Sequence, residues 1–187
     1  MIRQAKPSDI DGIIHVLKSY DFTVLPEEPN SVIDTRFPDQ FLISNHVSEF
    51  VWDRSFVAEH DGEIVGFCHY TIIDQHSAQT RLLAVLPEHQ SLGLGKQLQI
   101  ARMKAAYGQG IEKLHTHSEH PKSIEWYKKH FGYIDHGSVE SLHGLLFFRL
   151  PDRVVWGIHY GFQEYPVHRK LVCNLPQYFS RTKSQKV

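Results

Sequence analysis

Residues 90–96 of this chain read Gln-Ser-Leu-Gly-Leu-Gly-Lys and join two segments with different hydrophobic patterns. The segment before them, residues 80–86, is mostly apolar and is followed by a proline, which predicts a buried strand. In the segment after them, Leu98, Met103 and Ala106 predict the buried face of a long helix. Glycines at such a junction let a ligand approach the backbone, and the free N–H groups of the first helical turn attract an anion. The sequence therefore predicts an anion-binding loop between a strand and a helix.

The spacing of this loop differs from two common nucleotide-binding loops. A Walker A loop requires a glycine five positions before the Gly-Lys pair and a Ser or Thr after it, where this chain has Gln90 and Gln97. A dinucleotide-binding loop requires a third small residue three positions after the second glycine, and Leu98 occupies that position. Both interpretations fail, and a Gln-x-x-Gly-x-Gly pattern remains.

Strand and helix signals alternate on both sides of the loop. Asp61-Gly62 provides the tight turn of a β-hairpin between residues 55–59 and 64–70, which are rich in β-branched and aromatic residues. Upstream, the patterns predict a strand at 1–5, an amphipathic helix at 10–17 and a weaker helix at 37–50. Downstream, they predict a strand at 111–117, a helix from Pro121 to Phe131 ended by Gly132, and a closing pair of strands at 133–139 and 145–150.

This alternation predicts an α/β fold with a central mixed, twisted sheet flanked by helices. The length of 187 residues suits one domain, and we assign residues 1–150 to it. Residues 151–187 form a C-terminal extension, in which residues 154–160 predict one more strand and residues 180–187 a frayed polar tail. The extra strand could extend the sheet, cover the cleft or form the edge of a homodimer.

Composition excludes several classes of protein. Hydrophobic residues make up 41% of the chain, which is enough for a buried core and excludes wholesale disorder. The net charge of −1 creates no overall field that would attract nucleic acid or anionic lipid. No apolar run approaches the roughly 18 residues needed to span a membrane. Two cysteines and no secretory signal predict a cytoplasmic protein.

Histidine is frequent, with 14 residues, and three of them have a spacing that could suit a metal ion. His115 and His117 alternate along a predicted strand, so they could point to one face, and His120 follows. No cysteine completes the set, and Glu119 would point away from the histidines in an extended chain. We therefore expect no metal.

Several motifs occur in a fixed order along the chain. They are Val85-Leu86-Pro87-Glu88, the loop at residues 90–95, the strand at 111–117, and Tyr127-Lys128-Lys129-His130-Phe131-Gly132-Tyr133. In this order the sequence resembles the GNAT superfamily of acyl-CoA-dependent N-acyltransferases over about residues 1–150. The last motif departs from the family pattern, because it is one residue longer and has Tyr133 where the family usually has phenylalanine.

The resemblance implies that acetyl-CoA is the co-substrate. In the family, backbone N–H groups of the loop hold the pyrophosphate, and the end of the preceding strand pairs with the pantetheine arm. His120 and Ser123 stand where the family often has Asn and Ala beside the pantetheine. The residues implied in acetyl-CoA binding are Leu83, Ala84, Val85, Gln90, Ser91, Leu92, Gly93, Leu94, Gly95, Lys96, His120 and Ser123.

The resemblance also implies the chemistry, in which a deprotonated amine attacks the thioester and an acid protonates the departing thiolate. Tyr127 lies on the helix that resembles the acid-bearing helix of the family, so we expect it to be the acid. A carboxylate base used by some members lies six residues before Val85, where this chain has Gln79, which cannot accept a proton. The remaining candidates for the base are His69, Asp74, His76 and Glu49, of which His69 and Asp74 are preferred.

We therefore expect an enzyme that transfers acetyl from acetyl-CoA directly to a primary amine of a small molecule or peptide. Two alternatives stay open: a non-catalytic acyl-CoA-binding regulatory module on the same fold, and an enzyme that uses a longer acyl-CoA. Resemblance at the level of the fold does not identify the amine. No nucleic-acid or membrane partner is expected.

Overall fold

The structure of the chain is a computed structural model, and it describes residues 1–20, 23–26, 47–49, 51–118, 120–138, 145–149, 153–158 and 169–184. The strands are β1 Ile2–Gln4, β2 Thr23–Pro26, β3 Val47–Glu49, β4 Ser55–His60, β5 Glu63–Ile72, β6 Ser77–Val85, β7 Lys113–Ser118, β8 Ile134–Ser138, β9 Leu145–Arg149, β10 Arg153–Ile158 and β11 Arg169–Asn174. The helices are α1 Ile10–Lys18, α2 Leu94–Gly108, α3 Pro121–Phe131 and α4 Leu175–Ser184. Two sheets contain all of these strands.

The main sheet has seven strands in the order β1-β4-β5-β6-β7-β11-β8. All neighbours are antiparallel except β6 and β7, which are parallel because α2 connects them. The sheet is therefore mixed and flanked by helices, which confirms the predicted fold class. The predicted hairpin is also present as β4 and β5, with Asp61 (φ 50°) and Gly62 (φ 85°) in its turn.

The core is centred on β5. Its residues 65–70 are buried without interruption, as expected for a strand covered on both faces. Helix α1 packs against β5 with a buried face of Ile13, Ile14, Val16 and Leu17. Helix α2 packs against β4, β5 and β6, and its buried residues include the predicted Leu98, Met103 and Ala106.

The predicted closing pair at 133–139 and 145–150 is wrong. Both segments contain strands, but β8 pairs with β11, whereas β9 pairs with β10 and β3 in a second sheet of order β2-β10-β9-β3. An Arg169–Asp135 ion pair of 2.8 Å joins β11 to β8, and Leu171 and Cys173 of β11 are buried. Residues assigned to the extension thus supply an inner strand of the main sheet.

Three other expectations for the flanking segments have different outcomes. The extra strand at 154–160 is confirmed as β10, Arg153–Ile158. The prediction of a weaker helix at 37–50 is wrong for residues 47–49, which form strand β3. The other residues of this range lie outside the described part. The frayed tail is wrong over residues 180–184, because they belong to α4, which packs on α2 through stacked Tyr107 and Phe179 rings 5.1 Å apart. Residues 185–187 lie outside the described part.

Candidate active site

Strands β6 and β7 diverge and leave an opening in the main sheet. They pair only over three residues each, Ser77–Gln79 with Lys113–His115, although β6 continues to Val85 and β7 to Ser118. At the point of divergence the hydroxyls of Thr80 and Thr116 form a hydrogen bond of 2.5 Å. Because β6 and β7 are parallel, the helices that follow them, α2 and α3, both begin at the open end. Their N-terminal N–H groups give this end a positive potential.

The predicted glycine loop lies at this open end. A short 3₁₀ helix, Pro87–Leu92, leads to Gly93, whose φ of 72° places it in the left-handed region between the two helices. Among the described residues, a Cβ at Gly93 or Gly110 would meet no atom within 4 Å, so none of them fills the space next to the Gly93 Cα. A Cβ at Gly95 would meet Val85 Cγ2 at 3.9 Å. The loop therefore presents uncovered backbone at the start of α2.

The free backbone edge of β6 at Val85 is contacted by Tyr20, which follows α1. The Tyr20 hydroxyl donates to the Val85 carbonyl at 2.7 Å and accepts from the Val85 N–H at 3.3 Å. The Gln90 side chain donates to the same hydroxyl at 3.0 Å and to the Val85 carbonyl at 3.3 Å. Sequence reasoning did not find Tyr20, because nothing near residue 20 indicates a contact with a strand 65 residues away.

Tyr127 lies on α3 and is almost completely buried. Its hydroxyl accepts a hydrogen bond of 3.1 Å from Nη2 of Arg102 on α2. The same guanidinium donates to the carbonyl of Leu82 on β6 at 2.9 Å, so a single side chain connects Tyr127 to the strand beside the opening. Sequence reasoning missed Arg102, although its position four residues after Leu98 places it on the buried face of α2.

His69 lies on β5 and is fully buried. Its Nδ1 is 3.1 Å from the Ser55 hydroxyl, and its carbonyl accepts a 3.3 Å hydrogen bond from Arg102. Burial lowers the pKa of the imidazole to about 3. A base this weak holds no proton near neutral pH, so burial argues against proton uptake by His69.

Asp74 lies in the exposed turn between β5 and β6. Its carboxylate accepts the His76 N–H at 2.8 Å, and this hydrogen bond lowers the pKa of Asp74. His76 lies 3.7 Å from Glu112 at the start of β7. Among the described residues no contact joins Asp74 to Tyr127, so the structure does not bring the predicted acid and this predicted base together. The side chain of Glu49, the distant candidate, lies outside the described part.

The three histidines whose spacing could suit a metal ion, His115, His117 and His120, lie in different surroundings. Burial lowers the pKa of His115, which lines a groove of about 280 Å³ with Lys113, His136 and Lys170. His117 Nδ1 lies 3.5 Å from the Gln79 amide, and His120 is the exposed N-cap residue of α3. Ser123 is half-buried in the first turn of α3. Among the residues that the structure describes, no cluster of His, Cys, Asp or Glu could hold a metal ion, and Glu119 lies outside them.

No helix in the described ranges is both long and apolar enough to cross a bilayer. Both cysteines are free and buried. Burial raises the pKa of each thiol to about 12, so neither is a reactive thiolate near neutral pH.

Comparison with known proteins gives one family and one fold. The model of the acetyltransferase (GNAT) family matches residues 22–133. That match contains β4 to β7, the glycine loop, α2 and α3. A search of curated protein sequences found no match.

Solved structures with this fold include several acetyltransferases. An N-acetyltransferase from Staphylococcus aureus Mu50 superposes with a TM-score of 0.59 at 17% identity, covering 94% of this chain and 98% of that one. The ribosomal-protein-S18-alanine N-acetyltransferase from Escherichia coli gives 0.57 at 14% identity, covering 94% and 93%. A GNAT family acetyltransferase from Elizabethkingia anophelis with acetyl-CoA bound gives 0.51 at 15% identity, covering 82% and 97%.

Proposed function

The chain belongs to the GNAT family of acetyltransferases, acyltransferases that use acetyl-CoA, and from that membership we propose that it transfers acetyl to a primary amine of a small molecule or peptide, with Tyr127 as the acid. One observation supports this most strongly. The opening between β6 and β7 has the uncovered glycine loop at its mouth and Tyr127 connected to its side through Arg102.

The first part of the proposal concerns the pyrophosphate of acetyl-CoA. Backbone N–H groups from Leu92 to Lys96 would bind it, since the first turn of α2 has no side-chain cap and Gly93 exposes the backbone there. The exposed Lys96 would add a point charge. The proposed loop also contains Ser91, Leu94 and Gly95. Because Gly95 has no side chain, it leaves the loop backbone open to the pyrophosphate.

The second part concerns the pantetheine arm. Its amide groups would pair with the backbone edge of β6 at Leu83, Ala84 and Val85, beyond the last residue that β7 occupies. His120 and Ser123 at the start of α3 would contact it from the β7 side of the opening. Tyr20 and Gln90 occupy the Val85 groups that this pairing requires.

The third part concerns the reacting atoms. The β5–β6 register shifts between the pairs Cys68–Leu83 and Tyr70–Thr80, so His69 stands opposite two residues of β6. This bulge lies beside the opening, with its Leu82 carbonyl bonded to Arg102, and we place the thioester carbonyl there. The amine nitrogen attacks the carbonyl carbon, the carbon–sulfur bond breaks, and the thiolate takes the hydroxyl proton of Tyr127.

The proton that the amine loses must leave by another route. Asp74 is ionised and exposed at the turn before β6, but it makes no contact with Tyr127 in the described part. We propose that the proton passes to water at this turn, beside the Asp74 carboxylate. His69 contributes through its carbonyl, which holds Arg102, rather than as a base.

Titration calorimetry tests the binding part of this proposal. Acetyl-CoA should bind the full chain at least about tenfold more tightly than S-acetylpantetheine, which lacks the pyrophosphate that the loop would hold. Equal affinity for the two compounds would contradict the placement of the pyrophosphate. Tight binding without turnover on any amine would instead favour the alternative, a regulatory module that senses acyl-CoA.

Replacing Tyr20 with Phe tests the pantetheine edge. The Tyr20 hydroxyl must leave Val85 before pantetheine can pair there, so its loss should tighten acetyl-CoA binding. A net hydrogen bond contributes about 0.5–1.5 kcal/mol, and the expected fall in Kd is about 3- to 10-fold in calorimetry. Tyr107→Phe is the matched control, because Tyr107 is similarly exposed but stacks on Phe179 away from the opening. A higher Kd for Tyr20→Phe would show that Tyr20 itself holds the ligand.

Three further assignments stay proposals. A cytoplasmic location rests on the two free, buried cysteines. The other two, a homodimer through residues 151–187 and a domain limit at residue 150, rest on the sequence alone. Strand β11 pairs within the main sheet of the same chain, and α4 packs on α2. A cut at residue 150 would therefore remove an inner strand and could not test dimerisation alone.

A further inference from the structure

Arg102 is a fully buried cation without an anionic partner in the described part of the chain. A guanidinium stays charged in proteins, and burying a charge is costly unless it is paired. The groups that accept its hydrogen bonds are all neutral: Gln99 Oε1 at 2.6 Å, the carbonyls of His69 at 3.3 Å and Leu82 at 2.9 Å, and the Tyr127 hydroxyl at 3.1 Å. The positive charge is therefore satisfied in hydrogen bonds but not neutralised.

The four acceptors place this charge at the candidate reaction centre. The His69 and Leu82 carbonyls belong to the bulge between β5 and β6. Tyr127 belongs to α3, on the other side of the opening. The planar guanidinium group (the fork) of Arg102 therefore fixes the distance between the bulge and the Tyr127 oxygen. Its positive charge lies one hydrogen bond from that oxygen.

The direction of the hydrogen bond matters for proton transfer. Arg102 can only donate, so it occupies a lone pair of the Tyr127 oxygen and leaves the hydroxyl proton free to point elsewhere. When that proton moves to a thiolate, the oxygen becomes negative and faces a buried cation. A buried opposite charge at hydrogen-bond distance stabilises such an anion far more than water-screened charges do.

We propose that Arg102 is a positioning residue for acetyl transfer, which aims the hydroxyl proton of Tyr127 at the departing thiolate and stabilises the phenolate left behind. The step is balanced: the CoA sulfur gains the Tyr127 proton, the phenolate stays beside Arg102, and a proton from water restores the phenol. This inference rests on the proposed function, since it needs Tyr127 as the acid.

The test separates two possible roles of Arg102: supplying a positive charge beside Tyr127, and holding the β5–β6 bulge in place. Arg102→Met removes the charge, and kcat with acetyl-CoA should fall about 100-fold. In a Tyr127→Phe background the same replacement should change kcat less than threefold. A 100-fold loss of kcat in that background would overturn the proposal.

Gln99→Glu provides a second variant in case Arg102→Met does not fold. It places a carboxylate where the amide oxygen now lies 2.6 Å from Nε, so it neutralises the cation while keeping the fork in place. We expect a fall in kcat of about tenfold, because the Tyr127 oxygen then faces a neutralised guanidinium. A structural role predicts unchanged or improved activity, because an ion pair would hold the fork more firmly. If the parent chain has no turnover at all, the proposed function fails; if it turns over and both variants match it, only this inference fails.

Discussion

Tyr127→Phe is expected to lower kcat for acetyl transfer by about 100- to 1,000-fold, with the KM for acetyl-CoA changed less than threefold. General acid catalysis contributes about 10²–10⁴-fold, and the phenylalanine ring keeps the packing against Trp126 and Tyr133 while removing the proton. Free thiol released from acetyl-CoA at saturating amine gives kcat directly.

Tyr70→Phe is the matched control for this variant. Tyr70 is also a buried tyrosine, and its hydroxyl donates a hydrogen bond of 3.1 Å to the Gln109 side chain at the end of α2. Both variants should lose a similar free energy of unfolding, about 1 kcal/mol, but only Tyr127→Phe should lose turnover. An equal loss of kcat in the two would trace the effect to stability, and full activity in Tyr127→Phe would assign the acid to another group.

Gly93→Val should raise the KM for acetyl-CoA at least about tenfold. Gly93 has a φ of 72°, where a β-branched residue is strained by about 1–3 kcal/mol. A Cβ there meets no atom of the described residues within 4 Å, so the added side chain would occupy the space that we assign to the pyrophosphate. The measurement is the initial rate at increasing acetyl-CoA and fixed amine.

Gly110→Val separates strain from ligand binding. Gly110 also has a left-handed backbone, with φ of 84°, and open space around it, but it lies in the turn between α2 and β7. Thermal unfolding should show a similar loss of stability in both variants, whereas KM should rise only in Gly93→Val. An unchanged KM in Gly93→Val would move the pyrophosphate away from this loop.

The features that were predictable from the sequence are local ones. The hairpin depends on two residues, Asp61 and Gly62, that take positive φ angles. The ends of α3 follow from Pro121 at its start and Gly132, with φ of 64°, at its end. The strand–loop–helix unit around Gly93 likewise needs no distant partner, which explains why it could be read without a structure.

The features that were missed depend on distant pairing. Strand β11 enters the main sheet between β7 and β8, about 50 residues after the former, and antiparallel neighbours so far apart leave no local signal of their pairing. The alternation of buried Leu171 and Cys173 could have indicated a strand, but not its place.

In the candidate site, too, some residues were predictable from local sequence and others depend on distant contacts. The glycine loop and Tyr127 were predictable, because motifs of fixed spacing mark them. The environment of His69 was not, since only the structure shows that β5 is buried on both faces. This burial lowers the pKa of the His69 imidazole to about 3. Arg102 was not predictable either, because the sequence does not show that its position on α2 faces the bulge in β6.

The central claim is that this chain catalyses acetyl transfer from acetyl-CoA to an amine by way of Tyr127. Its most direct test is release of free CoA thiol from acetyl-CoA across a panel of primary amines, with the acetylated product identified by mass spectrometry. We predict thiol release that needs both the protein and one class of amine, forms one acetylated amine per thiol, and falls at least about 100-fold in Tyr127→Phe. Binding of acetyl-CoA without amine-dependent thiol release, or release unaffected by Tyr127→Phe, would contradict it.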